Sequence, residues 1–259
     1  MREDTLPASN GMNLKDGLFW ALAIGAGLRE RAVILMYHSI AERPGHFNSV
    51  PPAVFKRQMG YLKAKRYPVV SLKTLAKRLA DMETPGGAVA ITFDDGYENN
   101  YTDAFPVLKE HGFPATIFVA TDRIGSPERL TREQLREMES SGLVDVEPHS
   151  KTHPRLAEAD DALAREEMRG SKETVENMLG KSADFFAYPY GSFSERTLQI
   201  ARERGFRAAV TVREGTVAPG EDLFRLPRVS IDASTTFAQF RGKVSRAVDR
   251  YEAIKKIWK

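Results

Sequence analysis

Short apolar runs alternate along this chain with segments whose apolar residues recur every three or four positions, and that alternation restricts the fold more than any other feature. Arg31 to Ile40, Val69 to Leu72, Ala88 to Phe93, Ala115 to Ala120, Leu143 to Val146, Phe185 to Ala187, Ala208 to Val212 and Phe224 to Ile231 read as strands. Between them, Phe55, Met59 and Leu62 behind Pro51-Pro52, and then Leu72, Leu75 and Leu79, have helical spacing. Further helices are expected from Asn99 to His111, from the Thr131/Gln134 capping box to Ser141, from Leu156 to Leu179, and up to Arg204 before Gly205. Such alternation predicts α/β architecture with parallel strands, helices outside, and a closed or nearly closed barrel of about seven strands.

A chain of 259 residues suits one large domain, with 42% hydrophobic and 28% charged residues, as in soluble globular proteins. Without cysteine it has no disulfide and no thiolate metal site, so a metal must use His, Asp or Glu. The net charge of +3 is uneven: Phe237 to Lys259 holds seven Lys or Arg against two acids, leaving −2 for the remainder. Basicity confined to the tail argues against a nucleic-acid-binding body.

The ends read as appendages: residues 1–30 an N-terminal extension, 31–234 the main domain, 235–259 a basic amphipathic helix. The apolar stretch Gly17 to Leu28 is too short to span a bilayer; it suits a helix on the membrane surface, a helix packed on the domain, or a signal-peptide core lacking a positive flank. Both ends suggest peripheral contact with an anionic membrane, and the expected location is cytoplasmic or at the inner membrane surface rather than secreted.

Three strand exits carry polar residues. Ala88 to Tyr97 ends in Asp94-Asp95-Gly96, two adjacent carboxylates that repel and need a counter-charge, unless they form a plain solvated turn. The exit after Val146 carries His149 and His153, a spacing that places both imidazoles on one side of a helical turn. Two histidines and one carboxylate make a three-ligand catalytic metal set with open positions, and the other acid is then free as a base. Arg31 to Ile40 ends in His38; His111 reads as a helix-end cap, His46 as a loop residue and Glu147 as a supporting one.

These motifs resemble those of the metal-dependent polysaccharide deacetylases, carbohydrate esterase family 4. TFDDG stands at Thr92 to Gly96, H-[ST]-x-x-H at His149 to His153, and the third motif, usually R-x-P-Y-G, appears as Ala187 to Gly191. The resemblance covers about Val33 to Val229 and implies a distorted (β/α) barrel. It implies Asp94 as general base, Asp95, His149 and His153 as ligands of a divalent metal, usually zinc, and the Tyr190 N–H as an oxyanion donor beside Pro189. Two features depart from the pattern: Ala187 replaces an arginine that orients the base, and no histidine follows His153. The early LMYHSI segment resembles the poly-N-acetylglucosamine deacetylase branch, whose acid-bearing strand lies at the front, which makes His38 the general acid. Arg228 is the candidate replacement for the arginine, and Arg132 stands where relatives often have a tryptophan. The implied activity is removal of N-acetyl groups from N-acetylglucosamine-type units of a bacterial glycan or lipid-linked sugar. The alternatives are an O-acetyl esterase and a catalytically silent glycan-binding module.

Overall fold

Seven parallel strands form one sheet in the order β4-β3-β2-β1-β7-β6-β5. They are β1 (Val33–Tyr37), β2 (Val89–Phe93), β3 (Ala115–Val119), β4 (Val144–Pro148), β5 (Phe185–Ala187), β6 (Ala208–Glu214) and β7 (Leu226–Ser230). The helices are α1 (Pro52–Ala64), α2 (Leu72–Ala80), α3 (Phe105–His111), α4 (Arg132–Ser140), α5 (Asp161–Leu179), α6 (Glu195–Glu203) and α7 (Phe237–Val244). The structure, a computed structural model, describes residues 30–43 and 46–245. Gly17 to Leu28 and the tail beyond Ser245 therefore lie outside the described residues.

The sheet curls into a nearly closed, distorted barrel because its strands are apolar on both faces. Leu35, Tyr37, Ile91, Phe93, Ile117 and Val146 pack outward on Phe55, Met59, Leu108 and Leu135 of the helices. The alternate residues form a second cluster that contains Ile34, Ala90, Phe118, Phe185, Ala187, Ala208 and Val210. Several of these are alanines, as a narrow interior requires.

Strands β4 and β5 do not pair, and side chains occupy that seam. The Val146 N–H donates to Glu139 Oε2 at 2.7 Å, and the Phe185 N–H donates to Glu147 Oε2 at 3.0 Å. Lys181 Nζ sits 3.0 Å from Glu139 and 3.6 Å from Glu147. Burial pushes the Glu147 carboxyl up to about 8, against the pull of Lys181 and the Phe185 N–H. Glu147→Ala would strand the buried Phe185 donor, so equilibrium urea unfolding should show a loss of about 2 kcal/mol, with Glu147→Gln retaining most of it.

Several segments differ from expectation. Val69 to Leu72 makes only an isolated bridge between Val69 and Val89, because the Ser71 side chain accepts the Thr74 N–H and caps α2. The helix expected from Asn99 opens with a wide turn, Asn100–Ala104, whose Phe105 N–H donates to the Asn100 carbonyl. Pro106 has no N–H for an ordinary ladder there. Helix α5 starts at Asp161 rather than Leu156 because Asp160 accepts the Leu163 N–H as cap. Of the basic C-terminal helix, the described part packs on the domain, with Phe240 and Val244 buried.

Candidate active site and metal centre

All the candidate residues lie at the carboxyl ends of strands, or just inside, where parallel α/β folds leave room for chemistry. His38 follows β1, Asp94 and Asp95 follow β2, His149 follows β4, Tyr190 follows β5, and Arg228 lies within β7. His38, Asp94, Asp95, His149, His153 and Tyr190 line one cavity of about 440 Å³.

The two adjacent acids point to different partners. Asp94 is 2% exposed and meets Arg228, 0% exposed, in a two-pronged pair: Nη1 to Oδ1 at 2.7 Å and Nη2 to Oδ2 at 2.6 Å. The guanidinium is itself fixed by Nε donating to the Thr211 carbonyl at 2.8 Å and Nη1 to Thr92 Oγ1 at 3.0 Å. Burial works to raise the Asp94 carboxyl, but the Arg228 charge and hydrogen bonds prevail and hold it below the usual carboxylate range.

Asp95 turns the other way because its backbone is left-handed, φ 71°, with its carbonyl accepting from Arg129 Nη1 at 3.0 Å. Gly96 follows at φ 62°, and a Cβ there would lie 2.9 Å from Val119 Cγ1, so this turn requires glycine. The Asp95 carboxylate faces the histidines, with Oδ1 3.1 Å from His153 Nε2 and 3.9 Å from His149 Nε2.

The histidine pair is not on a helix as its spacing predicted. Ser150 (φ 64°) and His153 (φ 70°) are left-handed, and the segment is a loop tied down by Glu167 of α5. Glu167 Oε2 accepts the Lys151 and Thr152 N–H groups at 2.8 and 2.9 Å, and Oε1 accepts the Thr152 hydroxyl at 2.7 Å. The loop brings the two Nε2 atoms to 3.2 Å. His149 Nδ1 lies 2.7 Å from the Ala187 carbonyl, which fixes the proton on Nδ1 and leaves the Nε2 lone pair inward. Burial pulls the His149 imidazole down to about 4, against the Asp94 and Asp95 charges, so it is neutral at neutral pH.

Asp95, His149 and His153 offer ligand atoms all within 4.8 Å of one another, and Asp95 Oδ1 is buried without a well-formed hydrogen bond. Three lone-pair donors converging out of water fit a divalent cation held by two imidazoles and a carboxylate.

Several residues that the motifs did not single out shape the site. Asn100 donates to the His38 carbonyl at 2.7 Å, while Asn99 accepts the Ile40 N–H at 2.8 Å and donates to Ser39 Oγ at 2.9 Å, so the wide turn before α3 fixes the His38 segment. Tyr190 is left-handed (φ 57°) and 52% exposed, its ring between His153 and the Arg155 guanidinium. A Cβ on Gly191 would come 2.4 Å from Val212 Cγ2. Arg132 opens α4 on the surface.

Fold and site together define an α/β barrel with an arginine-held carboxylate beside an Asp-His-His cluster that could hold a metal. The chain belongs to the polysaccharide deacetylase family, whose sequence model matches residues 81–209. It is 35% identical over 208 residues to a putative polysaccharide deacetylase, YxkH, of Bacillus subtilis, covering 80% of this chain and 74% of that one. It is 30% identical over 196 residues to the poly-β-1,6-N-acetyl-D-glucosamine N-deacetylase of Staphylococcus epidermidis, covering 71% and 68%. Among solved structures it resembles the Streptococcus pyogenes deacetylase PplD in complex with acetate, at TM-score 0.78 and 29% identity, covering 83% of this chain and 99% of that one.

Proposed function

We propose that this polysaccharide deacetylase is a metal-dependent hydrolase that removes N-acetyl groups from N-acetylglucosamine-type units of a bacterial glycan. The observation that carries the reading is the division of the two TFDDG acids, one gripped by Arg228 and the other facing two histidines within one cavity. The named activity of the Staphylococcus epidermidis relative supports the sugar.

Asp95, His149 and His153 would hold a divalent cation, for which zinc is the proposed identity, and when bound it would supply Lewis acidity toward the acyl oxygen and the attacking water. Asp94 takes the proton from the attacking water. Arg228 keeps that carboxylate ionised and aimed. Water adds to the amide carbon, the Tyr190 N–H donates to the developing oxyanion, and His38 protonates the nitrogen as the C–N bond breaks. The products are acetate and a free amine.

Acetate release from paired N-acetylated and O-acetylated oligosaccharides, with and without chelator, tests this reading. Turnover of the amide that stops with chelator and returns with zinc is the expected result; release from the ester alone would assign an O-acetyl esterase. His149→Ala should lose metal after dialysis, read as metal per chain, because two ligands cannot hold what three do. Metal content unchanged in that variant would remove His149 from the ligand set.

A further inference from the structure

At the end of the barrel opposite the catalytic cavity, the sector below β2 and β3 gathers exposed cations, whereas the sector below β4 and β5 mixes Asp145 and Asp184 with Lys181 and Arg207. There, and along the adjoining sides of α1, α3 and α7, Arg57, Lys63, Lys65, Arg66, Lys109 and Arg241 are exposed. None of the six meets a carboxylate within ion-pair distance among the described residues, and the nearby Glu110 is occupied by Lys56 at 3.0 Å. Much of the remaining surface pairs its cations instead, as in Arg165 with Glu203, Arg196 with Asp161 and Arg202 with Asp222.

Within this face Lys63, Arg66, Tyr67, His111 and Phe113 line a cavity of about 460 Å³. Its walls place it at the amino ends of the strands: Val69 bridges the first residue of β2, and Phe113 precedes β3 by two residues. Tyr61, Tyr67 and Phe237 lie half-buried between the cations, with Arg57 3.9 Å over the Phe237 ring.

We propose that this face docks the enzyme on an anionic phospholipid surface, with a lipid phosphate in the Lys63–Arg66 cavity and the catalytic mouth turned away from the bilayer. Interleaved basic and amphipathic aromatic side chains suit the headgroup layer, where each basic residue changes partitioning by about fivefold. The strands separating the two ends are five residues long in β2 and β3, roughly 17 Å. A sugar lying flat on that same surface does not reach the mouth, so the docked enzyme works on glycan that extends away from the membrane. Docking goes beyond the proposed deacetylation and stands whether or not that reading holds.

The test is co-sedimentation of the full chain with vesicles of phosphatidylglycerol and phosphatidylcholine in equal parts, against phosphatidylcholine alone. Binding only to the anionic vesicles, lowered about a hundredfold in Lys63→Glu/Arg66→Glu/Lys109→Glu, is expected. A thermal melt shows that the variant is folded, and the charge-conserving Lys63→Arg/Lys109→Arg should bind as the parent does. Because the chain has no cysteine, a dye on a single introduced thiol reports orientation. Ala64→Cys should blue-shift on anionic vesicles and Phe47→Cys, at the mouth, should not. Failure of the parent to bind, unchanged binding by the folded triple variant, or the reverse dye pattern would overturn the proposal. So would binding to soluble polyphosphate without binding to vesicles, which would assign the face to a polymer.

Discussion

Replacing Asp94 by asparagine is expected to lower acetate release about 10³-fold, the usual contribution of a positioned base, while metal per chain stays unchanged. Asparagine keeps the shape and one acceptor for Arg228 but takes up no proton. Metal retention follows because Asp95, not Asp94, faces the histidines. The substitution also removes the charge opposite a fully buried guanidinium, so stability should fall and turnover should be measured well below the melting temperature. The pH dependence of stability has a definite sign. A carboxyl lowered on folding stabilises the native state above its ordinary pKa, and that contribution is lost as pH falls through the lowered folded value. The Asp94→Asn variant should therefore show a shallower acid limb in unfolding free energy. Near-parental turnover with full metal content would exclude Asp94 as the base.

Arg228→Met should have the second largest effect. Removing one member of a buried pair leaves the other uncompensated, a cost of about 3–5 kcal/mol in unfolding free energy. Turnover should drop about 10²-fold because the base loses its two-pronged orientation. Without the cation, burial is left to raise Asp94, so the acid limb of kcat/KM should move to higher pH. A merely structural arginine would lower stability and leave that limb in place. In Asp94→Asn/Arg228→Met the two losses should be less than additive, since the pair fails as a unit.

Much of the fold was legible because strand and helix each impose a period on apolar residues. The run Ala88 to Phe93 became β2 with all five strand residues buried, and the Thr131/Gln134 capping box and terminal glycines placed helix ends within a few residues. The misreadings arose where a local signal met a stronger competitor. Val69 to Leu72 is apolar enough for a strand, yet the Ser71 cap draws it into α2. His149 and His153 have helical spacing, but Glu167 supplies the loop with hydrogen bonds that a helix would have supplied from its own backbone.

The sequence by itself determined the chemical inventory: two acids at a strand exit, two histidines four apart, an α/β alternation, and the absence of any thiol. Those are matters of residue identity and spacing, and they survive any detail of packing. The resemblance assigned unlike roles to Asp94 and Asp95, and tertiary structure supplies the physical difference between them: they are neighbours in sequence but face different partners, Arg228 and the histidines. Only the left-handed turn at Asp95 and the arrival of Arg228, 134 residues away, separates them. It likewise decided that Glu139 and Glu147 fill the β4–β5 seam, and that Lys63, Lys109 and Arg241, which meet no carboxylate among the described residues, lie on adjoining helices. Partners of that kind meet only when the sheet curls, so no periodicity along the chain records them.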